Sequence, residues 1–174
     1  LASYAPGSYM VKIETDTQFV WDILAQIPDP EIPVINIIEL GVVRAVEFID
    51  DECVVTITPT YSGCPAMKMI EDDIITNLQN NKIEKVKVKT VLSPPWTTDW
   101  INEVAKEKLR EYGIAPPHKA TPNKKALFAE AEVVKCPRCR SENTEMTSQF
   151  GSTPCKALYK CIDCLEPFDY FKCL

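Results

Sequence analysis

Glycine is scarce in this chain, five among 174 residues, and histidine is represented by His118 alone. Five glycines leave no Gly-rich loop of the kind that wraps a phosphate, so a nucleotide-binding fold is not expected. One histidine excludes the paired Glu-x-x-His motifs from which diiron carboxylate oxygenases build their centres. No apolar run approaches the ~20 residues that span a bilayer, and the N-terminal residues lack the basic-then-apolar order of a secretory signal. The expected location is therefore the cytoplasm, with no membrane partner. Cys173 stands second from the end rather than fourth, so it forms no prenylation box. Positive charge is also thin: residues 1–114 hold 10 Lys+Arg against 18 Asp+Glu, which argues against sustained contact with nucleic acid. The opening LASYAPGSYM has no periodicity. Residues 1–15 are read as a disordered N-terminus or as carrying a cloning remnant, native sequence in the latter case starting at Met10.

What is present is enough for one full core and a small appendage: 45% hydrophobic and 25% charged residues mark a globular protein. Phe19, Val20, Ile23, Leu24 and Ile27 fall on one helical face, with Thr17 as a candidate cap and Pro28 as the stop. The stretch DPEIPVINIIELG, with Pro28 just before it, carries prolines 28, 30 and 33, which forbid helix and force an extended, turning loop. GVVRAVEFID and CVVTITPT are β-branched runs joined by the acidic turn Asp50-Asp51-Glu52, the signature of a hairpin. Met67, Ile70, Ile74, Ile75 and Leu78 form an apolar helix face. KVKVKTV alternates as a strand with one wet face. A last helix after SPPWTT takes Thr97 or Thr98 as cap and Gly113 as stop, with Ile101, Ala105, Leu109 and Tyr112 inward. The order α-β-β-α-β-α predicts an α+β fold, a small mixed sheet covered by helices. These elements occupy a domain over 16–114. The proline-rich, charged APPHKATPNKK reads as a linker over 115–128, and 129–174 forms a second unit.

That second unit holds six of the eight cysteines. Cys136 and Cys139, then Cys161 and Cys164, make two CxxC knuckles, each turning two thiolates toward one ion. The set predicts a zinc ribbon with a structural, four-coordinate Zn and no open position for catalysis. Arg140 stands where such knuckles commonly carry glycine. Cys155 is expected as a free thiol in a hairpin, or as a replacement for one knuckle ligand. Cys173 has no assigned role, and His118 is expected to be solvated in the linker.

Cys64, in TPTYSGCPAMKMI, lies between a strand-like and a helix-like run and is followed by Pro65, which suits a helix start. From spacing alone, a small buried residue at a turn and a reactive thiol are both open. Helix-start amides and the macrodipole would favour thiolate and lower its pKa. Thr58 and Thr60 end the preceding strand, and Asp29 and Glu31 sit between prolines with no helical or core reason for their charge. Two hydroxyls, two carboxylates and a thiol could converge at one end of the sheet.

DPEIPVINIIELGVV followed by VTITPTYSGCPAMKMIEDDI resembles the SufT-like iron-sulfur assembly domain family. LSPPWTTDWI, KLREYGIAPP and FGSTPCKALYKCIDCLEPFDYFKC extend the resemblance, from Phe19 to Leu174, to the PaaD family of phenylacetyl-CoA epoxidase accessory subunits. The resemblance implies maturation of iron or iron-sulfur centres rather than catalysis of ring epoxidation. It implies Cys64 as the working thiol, Asp29, Thr58 and Thr60 as its surroundings, Glu31 as a further member, and the four knuckle cysteines as metal ligands. The cofactors so implied are the structural Zn and a transient iron or iron-sulfur cluster. The partners are the epoxidase reductase, which carries a cluster, the diiron oxygenase, and iron-sulfur assembly proteins. One thiol does not satisfy a cluster, so the remaining ligands are expected from a second protomer in a homodimer, a small thiol or the client. The competing reading is a structural or adaptor subunit with an inert Cys64 and the ribbon as its docking surface.

Overall fold

The computed structural model describes residues 17–117 and 133–172. The N-terminal segment, most of the expected linker, His118 and Cys173 lie outside the described residues.

Helix α1 (Thr17–Leu24) buries Val20, Ile23 and Leu24, with Ile27 just beyond its end. Phe19, expected inward, is 45% exposed, because the helix is short and presents only a narrow stripe to the sheet. The proline-rich loop then turns on two side-chain devices. Asp29 Oδ1 accepts from the backbone N–H groups of Glu31 (3.0 Å) and Ile32 (2.8 Å). Asn36 Oδ1 accepts from Ile38 and Glu39, whose carboxylate in turn accepts from the Asn36 N–H. These bonds satisfy backbone groups that neither helix nor sheet could pair. They let Ile32, Ile35, Ile37 and Leu40 enter the core.

Strands β1 (Val43–Ile49) and β2 (Glu52–Ile57) pair antiparallel. Their turn residues Asp50 and Asp51 both take positive φ, 48° and 63°, the requirement of the hairpin turn that matches strand twist. Helix α2 (Ala66–Asn80) crosses over to β3 (Val86–Thr90), which lies parallel to β2. The resulting sheet has the order β1-β2-β3. Ile70, Ile74 and Leu78 of α2 are at most 2% exposed, each contributing about 1.5–3 kcal/mol of hydrophobic stabilisation.

The expected last helix is divided in two. A single 3₁₀ turn, Thr98–Trp100, is capped by Thr97 through the Asp99 N–H. Ile101 then runs extended, and α3 (Glu103–Tyr112) starts from its own cap, Asn102, which accepts from the Ala105 N–H. Gly113, at φ 95°, ends it in the left-handed conformation. Tyr112 is 57% exposed rather than inward: restarting the helix at Glu103 keeps Ala105 and Leu109 on the core face and turns Tyr112 away.

The C-terminal unit is not a loose appendage. Strand β4 (Ile114–Ala115) pairs parallel with β7 (Pro167–Phe171), within a second sheet that also contains β5 (Thr144–Ser148) and β6 (Lys156–Cys161), in the order β4-β7-β6-β5. Ala115, placed at the start of the linker by sequence, is thus the second residue of a sheet strand. Cys155 and Phe171 belong to the core of the first unit. The Phe171 ring meets Trp96 edge-on at 6.0 Å, and the Trp96 indole N–H donates to the Leu40 carbonyl at 3.1 Å. The ribbon is therefore clamped against the proline-rich loop. No helix among the described residues is long and apolar enough to cross a membrane.

Candidate functional site

Two groups of side chains stand out. The first surrounds Cys64. Pro65 occupies the N-cap position of α2 with helical φ and ψ, so Cys64 stands one residue further out than a cap. Its thiol still receives the Ala66 N–H of the first helical turn. The expected depression of its pKa is nevertheless reversed. Burial pushes the thiol above its ordinary value and outweighs the Ala66 amide and the Tyr61 hydroxyl, while the nearby Glu31 and Asp29 carboxylates push it further up. The cause is desolvation, which penalises the charged form more than one amide and a helix end can recover. Without a metal, the thiol is therefore protonated at neutral pH.

A cavity of about 10 Å³ is lined by Asp29, Glu31, Thr60 and Cys64. It also includes Cys155, carried in from the ribbon, and has apolar walls that include Ile70 and Phe171. Asp29 is only 5% exposed, and burial is the main force raising its pKa, opposed by the Ile32 and Glu31 N–H groups. Its charge does have a local structural use, contrary to the sequence expectation, because it holds the loop's turn. Thr58 does not reach this cavity. It is 1% exposed, and its Oγ1 has no hydrogen-bond partner among the described residues. It lines the neighbouring groove with Thr60, Tyr61, Leu92 and Trp96. Tyr61 was not singled out by sequence. Its hydroxyl is enclosed without a hydrogen bond of normal geometry among the described residues, and burial, then the Cys64 thiol, raises its pKa.

The second group is the knuckle pair. The Sγ atoms of Cys136, Cys139, Cys161 and Cys164 all lie within 4.8 Å of one another. Cys136 and Cys164 are 3.7 Å apart, and Cys139 and Cys161 are 3.5 Å apart. A tetrahedral ion about 2.3 Å from each sulfur sets the sulfurs about 3.8 Å apart, close to the spacing these four residues already have. The Cys164 N–H donates to Cys161 Sγ at 3.5 Å and is the main cause holding that thiol down, to about 7. Cys155 is absent from this group and displaces no knuckle ligand.

Arg140 and Leu165, each directly after the second cysteine of a knuckle, both have φ of 63°. The knuckle turn thus keeps its left-handed residue even where the side chain is not hydrogen. Left-handed backbone costs an L residue roughly 1–2 kcal/mol. Arg140→Gly and Leu165→Gly are each expected to stabilise the metal-loaded ribbon by up to about 1 kcal/mol, after the greater chain entropy of glycine is deducted. The denaturant midpoint of the ribbon's unfolding checks this.

The fold and these side chains together define a small α+β domain, with a thiol-and-carboxylate cavity at one end of its sheet, clamped to a four-cysteine ribbon. Comparison with known proteins falls on the same two halves: residues 17–92 match the family of the iron-sulfur cluster assembly protein, and residues 120–172 match the PaaD zinc beta ribbon domain. A protein of Escherichia coli (strain K12), named as a subunit of 1,2-phenylacetyl-CoA epoxidase, is 48% identical over 160 residues, 89% of this chain and 92% of the relative. The chain belongs to this PaaD family of epoxidase accessory subunits. The first unit alone is 42% identical over 81 residues to the Fe-S protein maturation auxiliary factor SufT of Staphylococcus aureus (strain USA300), covering 45% of this chain and 90% of that one. A solved structure, a domain of unknown function DUF59 from Bacillus anthracis, superposes with a TM-score of 0.50 at 29% identity, covering 53% of this chain and 89% of that one.

Proposed function

We propose that this chain matures the iron-containing centres of a phenylacetyl-CoA epoxidase, with Cys64 as the thiol that transiently holds iron or a cluster, and that it does so without turnover chemistry of its own. The observation that carries the reading is the cavity in which Cys64, Glu31, Asp29 and Thr60 converge within a domain of the iron-sulfur assembly type. The name of the Escherichia coli relative supports the epoxidase as client. The name of the shorter Staphylococcus aureus relative supports maturation as the task. In this reading the ribbon binds zinc as a structural ion, since four thiolates at tetrahedral spacing suit a soft-ligand site with no open position, and it tethers the assembly domain to the client. Asp29 holds the loop's turn, Glu31 offers a carboxylate to the incoming ion, Thr60 borders the cavity, and Thr58 lies behind it in the adjoining groove.

Purification of the epoxidase reductase and oxygenase from cells with and without this chain tests the reading. Maturation predicts a loss of iron and sulfide from at least one client in its absence. An adaptor role predicts fully loaded clients that no longer assemble, and that result would replace this reading.

A further inference from the structure

We propose that the groove between α3 and the first knuckle is a docking surface for an acidic segment of the client protein, and that Arg140 is the residue that recognises its carboxylate. The inference rests on the reading that the ribbon meets the client and adds where that contact is made and by what chemistry. It does not depend on what Cys64 holds.

Three depressions lie along the seam between the two units. The first, about 520 Å³, is lined by residues of α3 and by Lys135, Pro137 and Arg140 of the ribbon. The second, about 500 Å³, and the third, about 380 Å³, continue around the C-terminal end of α3. Arg110 and Pro137 line both the first and the second, and Tyr112 lines both the second and the third, so the three form one continuous groove. Tyr112, turned away from the core, is 57% exposed within it. Tyrosine and arginine are the side chains that most often anchor a protein partner.

Charge selects the partner. Six Lys and Arg residues line the groove against three Glu, in a chain whose net charge is -6. Five of the six are ion-paired to glutamates, and every pair has at least one exposed member. Such pairs contribute little, so a partner's carboxylate can replace them. Arg140 differs. It is exposed, has no ion pair among the described residues, and takes a φ of 63° at which glycine would cost less. No charge pairing within the described fold accounts for a long cationic side chain there, whereas its planar fork of donors matches an incoming carboxylate. A strained, exposed residue held in place of a more stable one points to use by a partner. The chain's own linker leaves the groove's edge after Pro117, but Lys119, Lys124 and Lys125 suit a cationic groove poorly.

The test is the affinity of the zinc-loaded full chain for the purified epoxidase reductase and oxygenase, measured by biolayer interferometry at low and raised salt. Wild type should bind at least one of them, more weakly as salt rises, and polyglutamate should displace it. Arg140→Gly and Tyr112→Ala should each weaken binding at least about tenfold, and Arg140→Lys less than Arg140→Gly. Leu165→Gly is the matched control: Leu165 has the same φ in the other knuckle and does not line the groove, so binding should be unchanged. Because Arg140→Gly relieves strain, its loss of binding is not a loss of folding. Equal affinity of wild type and Arg140→Gly, an equal loss with Leu165→Gly, or no binding of either protein by wild type would overturn the proposal. So would three other occupants: a single-stranded RNA oligonucleotide bound in place of both proteins, the linker, shown by a gain in affinity when residues 119–130 become Gly-Ser repeats, or a second copy, shown by a dimer that Tyr112→Ala dissolves. The maturation reading fails separately, if clients from cells lacking the chain are fully loaded with iron.

Discussion

Cys64→Ala is expected to accumulate and fold like the wild type, yet to leave the epoxidase immature: no growth on phenylacetate, and iron or cluster missing from the purified reductase or oxygenase. Cys64 is only half-buried, just before α2, and its thiol gives up one weak contact with the Ala66 N–H, so removing the thiol costs about 1 kcal/mol or less. The functional loss should be near complete, because no carboxylate or hydroxyl in the cavity replaces a thiolate for a soft metal. Asp29→Asn should be milder. An asparagine carbonyl still accepts from the Glu31 and Ile32 N–H groups that Asp29 Oδ1 now holds, so the loop survives while the cavity loses a negative charge. Full iron occupancy and normal growth with Cys64→Ala would leave the adaptor role standing in place of maturation.

The second large effect concerns the ribbon. Cys136→Ser or Cys161→Ser should each remove close to one zinc per chain and unfold residues 133–172, because zinc supplies an apparent binding free energy of about 10–16 kcal/mol to small domains of this kind. The ribbon's own core is too small to replace it. It consists mainly of Ala115, Val134, Ala157, Phe168 and Tyr170 around the two buried cysteines Cys136 and Cys161. The loss should also reach the first unit. With the tail unfolded, Phe171 leaves the core beside Trp96, a change on the scale of about 3–5 kcal/mol for a large aromatic side chain. Metal analysis with a denaturation curve followed at tryptophan checks both parts. Full zinc retention in both variants would place the ligands elsewhere. A first-unit transition unmoved by loss of the ribbon would show that the clamp contributes nothing.

The sequence was most informative where local chemistry dictates local geometry. Three prolines in and beside the DPE loop, β-branched runs on either side of Asp50-Asp51, and helical periodicity from Met67 to Leu78 each specify one conformation over a few residues. The α+β order follows from them. The CxxC pairs are legible for the same reason: two thiols separated by two residues face one point whatever surrounds them. Arg140 could be flagged as an oddity, and its left-handed φ shows that the turn, not the glycine, is what the knuckle needs. Boundaries were less legible. Nothing local distinguishes one helix from the 3₁₀ turn, extended Ile101 and restarted α3, since Thr97 and Asn102 are both good caps and only packing decides that both are used.

By itself the sequence determined the main elements, the clustering of the four knuckle cysteines and the candidacy of Cys64, because each depends on residues near one another in the chain or on a short spacing. Tertiary structure alone decided three things. It set the protonation of Cys64, because desolvation depends on what packs over the thiol and not on its place before α2. It put Thr58 in the neighbouring groove, because the strand end turns it away from Thr60's cavity. It brought Cys155 to Glu31 across 124 positions, because Ile114–Ala115 joins β7 and Phe171 enters the first core. Contacts of that kind come from the burial of surfaces shared between distant segments, and no local pattern encodes them.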